Sequence, residues 1–352
     1  MDTFVWAVPP SQSSQQLRRH PSVRQAAAAI RAGELVAFPT ETVYGLGADA
    51  TNEAAVARIF TAKGRPSDNP LIAHIARQEQ LTDIVTHIPP LATRLIQHFW
   101  PGPLTLVLPS AGAVAKQVSA GLDTVAVRMP DHALARALLQ EVGRPVAAPS
   151  ANRSGRPSPT EARHVMDDLH GRIFAVLDGG DTGYGLESTV VDVTGHIPVL
   201  LRPGGLTLQR LQQVVGDVQL ASDISEADTA QAPPSPGMKY RHYAPEAKML
   251  LVQGDEAAMV QRIRELTAHY RSQGLKVGVL TTEEHKDDYE ADVVIASGNR
   301  DDLASVAKDL YRALRQFDRE GVERILCETF PESDWGMTIM NRLHKAASGR
   351  VI

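Results

Sequence analysis

The chain has 352 residues, enough for roughly two domains of ordinary size, and its 43% hydrophobic and 22% charged content is that of a globular protein. A net charge of −5 argues against a surface built mainly to hold long nucleic acid, while leaving room for a local cationic pocket. The single cysteine, Cys327, excludes an intramolecular disulfide and a cysteine metal cluster and fits a reducing compartment.

In chain order, residues 1–20 are polar and read as a loose arm, without the cationic start and apolar run of a signal peptide. An alanine-rich helix is predicted at 22–32, and ELVAFP (34–39) as a strand stopped by proline. Helices are predicted at 53–62, 90–99, 131–142 and 160–169. Strands are predicted at 71–75, 104–109, 124–129, 146–149, 173–178 and 188–193, an alternation that points to an α/β layer fold. The longest uncharged stretch, Phe99 to Ala115, is interrupted by Pro101, Pro103 and Pro109, so no membrane span is expected and the chain reads as cytoplasmic. Between Ser222 and Pro245, prolines 233, 234, 236 and 245 predict an extended connector. A second unit follows: strands at 248–253, 276–281, 291–296 and 324–329, spaced by helices at 255–273 and 301–320 and closed by one at 334–347. This is the pattern of a small parallel sheet, with Cys327 as core filler.

Chemistry concentrates in five places. PTETVYGLGAD (39–49) offers the hydroxyls of Thr40 and Thr42, with Gly45 and Gly47 allowing close backbone approach. AKGRPSDNPLIAH (62–74) holds Lys63 and Arg65 two residues apart. On an extended segment they would share a face, either clamping a polyphosphate or standing solvated at the surface. APSANRSGRPSPT (148–160) supplies Ser150, Asn152, Ser154 and Ser158, more hydroxyl and amide groups than one helix cap needs. DTVAVRMP (123–130) puts Thr124, Ala126 and Arg128 on one strand face, with Arg128 aimed at an anion or outward at solvent. ESTVVDVTG (187–195) carries Ser188, and Arg202 follows ahead of a Pro-Gly-Gly turn. A G-x-x-x-x-G-K-[ST] phosphate loop, a G-x-G-x-x-G helix opening, zinc-spaced histidines and a G-x-S-x-G elbow are all missing from the sequence.

Lys63-x-Arg65 followed by Ser150-x-Asn152, with PTETVYGLG, RPSDNPL, STVVD and SPGMKYRHYAP (235–245), resembles the YrdC-like threonylcarbamoyl-AMP synthases in their long, two-domain form. The resemblance implies a twisted mixed sheet with helices and a concave cleft, joined to a smaller Rossmann-like parallel α/β domain. The implied divisions are an arm (1–20), a catalytic domain (21–218), a linker or lid (219–246) and a C-terminal domain (247–352). It implies condensation of L-threonine, bicarbonate and ATP carried with Mg²⁺, with no tightly bound cofactor. Handover of the product to a tRNA threonylcarbamoyl transferase is also implied, and transient tRNA contact is compatible. By the resemblance, Lys63, Arg65, Ser150 and Asn152 hold the ATP phosphates, with Asn69, Thr124, Ser158, Arg202 and Tyr243 on the rest of the nucleotide. Thr40, Thr42, His74, Arg128, Ala148 and Ser188 surround threonine. A nucleic-acid binding module, a carbamoyl-transfer maturation factor and an ATP-binding regulator without turnover remain as other readings.

Overall fold

Short apolar, β-branched segments become strands in the computed structural model, which describes residues 2–9, 13–221 and 243–352. The described residues fall into two units, residues 2–9, 13–154, 158–183 and 187–221 in one and 155–157, 184–186 and 243–352 in the other.

The first unit is built on an eleven-stranded mixed sheet. Its strands are β1 (Phe4–Ala7), β2 (Val36–Pro39), β3 (Tyr44–Asp49), β4 (Ile72–His74), β5 (Leu104–Pro109), β6 (Thr124–Arg128), β7 (Val146–Ala147), β8 (Ala175–Asp178), β9 (Thr189–Asp192), β10 (Val199–Arg202) and β11 (Gln219–Leu220). They lie in the order β1-β8-β2-β3-β7-β4-β6-β5-β9-β10-β11. Helices Pro21–Arg31 and Ala133–Val142 join the core over this sheet, with Val23, Ala27, Ile30, Leu134 and Leu138 clustering with Val36, Phe38 and Leu177. Each such side chain contributes about 1.5–3 kcal/mol by leaving water.

The N-terminal segment departs from the loose arm expected of it. Phe4–Ala7 pair in parallel with β8, and Phe4 and Trp6 pack around Phe174 at ring distances of 5.4 and 6.0 Å. Polar composition over residues 1–20 hid three aromatic and aliphatic residues sufficient for a short edge strand. β3 was also unassigned to a strand: YGLGAD is fully buried and paired on both sides, antiparallel to β2 and to β7.

The second unit has four parallel strands, β12 (Lys248–Val252), β13 (Val277–Thr281), β14 (Val293–Ala296) and β15 (Arg324–Glu328), ordered β12-β15-β13-β14. Helix Glu256–Ser272 follows β12, Leu303–Glu320 follows β14 and Trp335–Ala346 follows β15, while only a single 3-10 turn, Lys286–Asp288, lies between β13 and β14. Cys327 is fully buried on β15, and burial pushes its thiol well above the usual range, as befits core filler. Most of the connector expected at 219–246 lies outside the described residues; Gln219–Leu220 form β11, and Tyr243 belongs to the second unit. No described helix is long and apolar enough to cross a membrane.

Candidate active site

The paired signature segments meet through one side chain. Lys63 is the last residue of helix Glu53–Lys63, whose N-cap Asn52 accepts from Ala55 N and whose C-cap Gly64 is left-handed at φ 62°. The helix end and the left-handed glycine separate Lys63 from Arg65, so the extended, shared face expected of the pair does not form. Lys63 Nζ instead donates to Ser150 O at 2.5 Å and Asn152 O at 2.6 Å, while Ser154 N donates back to Lys63 O at 2.9 Å. At 3% exposure, Lys63 is no solvated surface charge. Its cation sits where the carbonyls of Ser150-x-Asn152 converge, which explains why the two motifs occur together.

Arg65 turns back on its own loop, donating from Nη2 to Asn69 O (3.2 Å) and Pro70 O (3.0 Å). Asn69 is wholly buried, yet neither its Oδ1 nor its Nδ2 finds a hydrogen-bond partner within the protein. A buried amide left unpaired costs about 1–3 kcal/mol per group. Such a group suits a ligand that supplies the missing partners. Asn152 Nδ2 donates to Arg153 O at 2.8 Å. The loop from Ala148 onward does not lead directly into a helix, since the next begins at Ala162, so its polar residues are not caps.

A second group forms where β6 ends. Arg128 is 3% exposed and its Nη2 lies 2.6 Å from Glu41 Oε1, a close ion pair without an aligned hydrogen bond. Nη1 donates to Thr42 Oγ1 at 2.9 Å and Nε to Gly102 O at 3.2 Å. Thr42 Oγ1 lies 2.8 Å from Thr40 Oγ1, which donates to Val43 O. Arg128 thus faces an anion of the chain itself, Glu41, and at 3% exposure the outward surface reading of this arginine falls. His74 stands opposite Arg128 in the β4–β6 register and is buried edge-on to Phe38. Burial, reinforced by the Arg128 charge, holds its pKa down at about 3, so its imidazole is neutral. Thr124 occupies the other end of β6, half-buried, four residues or about 13 Å along the strand from Arg128.

Ser188 joins a third group. Its Oγ lies 2.7 Å from Thr105 Oγ1, and Arg202 holds its carbonyl through Nη2 at 2.9 Å. Ser158 donates to Glu187 Oε1 at 2.5 Å, both residues being buried. Ala148 N donates to Ile72 O at 3.0 Å, closing β4 against this loop. Tyr243 packs within the second unit, stacked 5.3 Å from Tyr311 with the Arg342 guanidinium 5.2 Å from its ring.

Two carboxylates in these groups, Glu41 and Glu187, went unassigned from sequence. Each had a signal: Glu41 is the only charge between Leu35 and Ala48, and Glu187 directly precedes the STVVD strand. Gly47, read as backbone room for a ligand, has a packing reason instead. A Cβ there would lie 2.9 Å from the Phe38 ring and 3.1 Å from Val146.

Two family models match the chain, Sua5_yciO_yrdC ("Telomere recombination") over residues 28–204 and the "Threonylcarbamoyl-AMP synthase, C-terminal domain" over 206–348. The threonylcarbamoyl-AMP synthase of Bacillus subtilis is 54% identical over 333 residues, 94% of each chain. A putative threonylcarbamoyl-AMP synthase of Mycobacterium tuberculosis is 40% identical over 199 residues, which is 56% of this chain and 91% of that one. The crystal structure of Pyrococcus abyssi Sua5 complexed with L-threonine superposes with a TM-score of 0.91 at 48% identity, covering 99% of both chains. With identity sustained along both chains and both family domains matched in order, this chain belongs to the threonylcarbamoyl-AMP synthase family, in its two-domain form.

Proposed function

We propose that the protein is an L-threonylcarbamoyladenylate synthase, a nucleotidyltransferase that joins L-threonine, bicarbonate and ATP. The observation that carries this reading is the likeness, along 99% of the chain, to a relative's structure complexed with L-threonine. The threonine amine adds to bicarbonate with loss of water, giving a carbamate. A carbamate oxygen then forms a bond to the α-phosphorus of ATP as the bond to the β-phosphate oxygen breaks, yielding threonylcarbamoyl-AMP and pyrophosphate. Mg²⁺ arrives as part of the nucleotide substrate and offsets charge on the leaving pyrophosphate.

The carbamate is already nucleophilic, so the protein's part is positioning and electrostatics. Lys63 and Arg65 face the triphosphate with Ser150 and Asn152. Asn69 gives its unmatched amide to the nucleotide, alongside Thr124, Ser158, Arg202 and Tyr243. Arg128, Thr40, Thr42, Ala148 and Ser188 surround threonine, and a neutral His74 can hydrogen-bond its hydroxyl without adding a cation beside Arg128. The product is a mixed anhydride that passes to a tRNA threonylcarbamoyl transferase.

Pyrophosphate release from MgATP tests the reading. It is expected to require both L-threonine and bicarbonate and to fall at least ~100-fold in Lys63→Ala or Arg65→Ala, the loss typical when a fixed group stabilising transition-state charge is removed. Release independent of threonine would overturn it.

A further inference from the structure

Away from these groups the first unit carries a concave feature with several arginines on its lining. A cavity of about 370 Å³ is lined by Arg18, Arg77, Gln80, Gln140 and the turn at Gly143. An adjoining one of about 220 Å³ shares Arg18 and adds Arg19, Arg24 and Glu141. None of these residues belongs to the candidate active site.

Their charge is left uncompensated. Among the described residues Glu141 is the one carboxylate within ion-pair range of these arginines, 3.6 Å from Arg18 Nε; Arg19, Arg24 and Arg77 have none. Elsewhere in the same unit Arg58 pairs with Glu34 at 2.6 Å and Arg144 with Asp49 at 2.8 Å. Four arginines against one glutamate give a local formal charge of +3 on a chain whose total is −5.

The polar groups between the arginines are also set to donate. Gln80 Oε1 is committed to Ala76 N (2.8 Å) and Arg77 N (3.1 Å), which leaves its amide nitrogen as the group that can donate outward. Helix Ala133–Val142 ends here, and carbonyls at its negative end are already taken, Glu141 O by Arg31 and Leu139 O by the Gly143 N–H. Guanidinium forks with an amide donor match phosphate oxygens.

Two adjoining concavities flanking Arg18 fit successive phosphates on a polymer better than one small phosphate ester, which would fill one of them. We propose that Arg18, Arg19, Arg24 and Arg77 form a docking groove for the phosphate backbone of RNA, distinct from the groups around Lys63 and Arg128. The proposal stands apart from the synthase reading, because pyrophosphate release tests that one and RNA binding this one.

The test is the affinity of the full chain for a tRNA transcript across a salt series. Arg24→Glu with Arg77→Glu is expected to weaken binding at least tenfold and to lower the steepness of log K against log salt by about one to two. Pyrophosphate release measured without RNA should remain within about twofold, which shows the variant folded. Arg24→Gln with Arg77→Gln, gentler on folding, should shift affinity in the same direction by a smaller factor. Arg172→Glu with Arg319→Glu makes the same change in net charge at exposed arginines elsewhere and should leave affinity within about threefold. Unchanged affinity and slope in both Arg24/Arg77 pairs overturns the proposal, as does an equal loss in the Arg172/Arg319 pair. Loss of AMP binding with tRNA affinity intact would assign the cavities to a small phosphate ester and overturn the RNA reading.

Discussion

His74 makes acid a specific liability for this fold. Buried beside Arg128, its ring has a pKa of about 3, against about 6.5 in an unfolded chain. Between these values the unfolded state binds a proton that the folded state refuses. Stability contributed by the neutral ring is therefore full above about pH 6.5 and declines as pH falls towards 3, by up to about 1.4 kcal/mol per unit. The thermal midpoint should drop between pH 7 and pH 5, and His74→Asn should flatten that slope; parallel pH profiles for the two proteins would remove His74 as the cause. Glu41 sets a second expectation. Removing one partner of a buried ion pair costs about 3–5 kcal/mol because the other charge stays uncompensated. Glu41→Gln should thus lower denaturant stability by about 3 kcal/mol, since Arg128 then lacks its 2.6 Å counter-ion. On the proposed placement of L-threonine its carboxylate replaces the lost charge at Arg128, so threonine should raise the variant's thermal midpoint more than the wild type's. An equal or smaller threonine shift in the variant would separate Arg128 from the threonine carboxylate. The signature residues were legible as chemistry, but not Lys63's partners: spacing states which residue types recur, and not that a helix end turns Nζ onto two carbonyls 87 and 89 residues away.

At the scale of elements, β3 shows what glycine does here. It is paired to β2 and β7, and Gly47 packs under Phe38 where a methyl group would overlap the ring. Gly47→Ala should lower stability by about 1–3 kcal/mol, as overpacking a filled core does. Its urea midpoint should fall, while the folded fraction keeps its pyrophosphate release rate to within a few-fold. A midpoint equal to wild type would mean that Phe38 and Val146 yield at no cost. Helices such as Glu53–Lys63 and Leu303–Glu320 were readable because periodicity and end signals are local: Asn52 and Gly64 bracket the first, and Gly321 at φ 65° ends the second. β3 was not, because two glycines in six residues weaken a strand signal that long-range pairing then overrides.

For the whole molecule, alternation of helix and strand gave the layer class and the second parallel sheet, while the strand order of the first sheet lay beyond reach. β1 lies beside β8 and β9 beside β5, pairings across long stretches of chain that no local pattern encodes. Among the described residues each unit has a core of its own, one around Val36, Phe38, Leu138 and Leu177 and one around Val252, Ile263, Val279 and Leu326. A polypeptide of residues 1–221 contains the first core entire, with every strand of its sheet, and is long enough to bury a self-sufficient interior. The Mycobacterium tuberculosis relative, matched over 56% of this chain and 91% of its own, has the extent of such a unit. Made alone, residues 1–221 should unfold in one cooperative calorimetric transition with an enthalpy on the order of 150 kcal/mol near 60 °C, by the usual per-residue scaling. Its calorimetric and van't Hoff enthalpies should agree. A broad, low-enthalpy transition would mean that the eleven-stranded sheet depends on the second unit for its folding, and that the two cores, though separate in packing, form one cooperative structure.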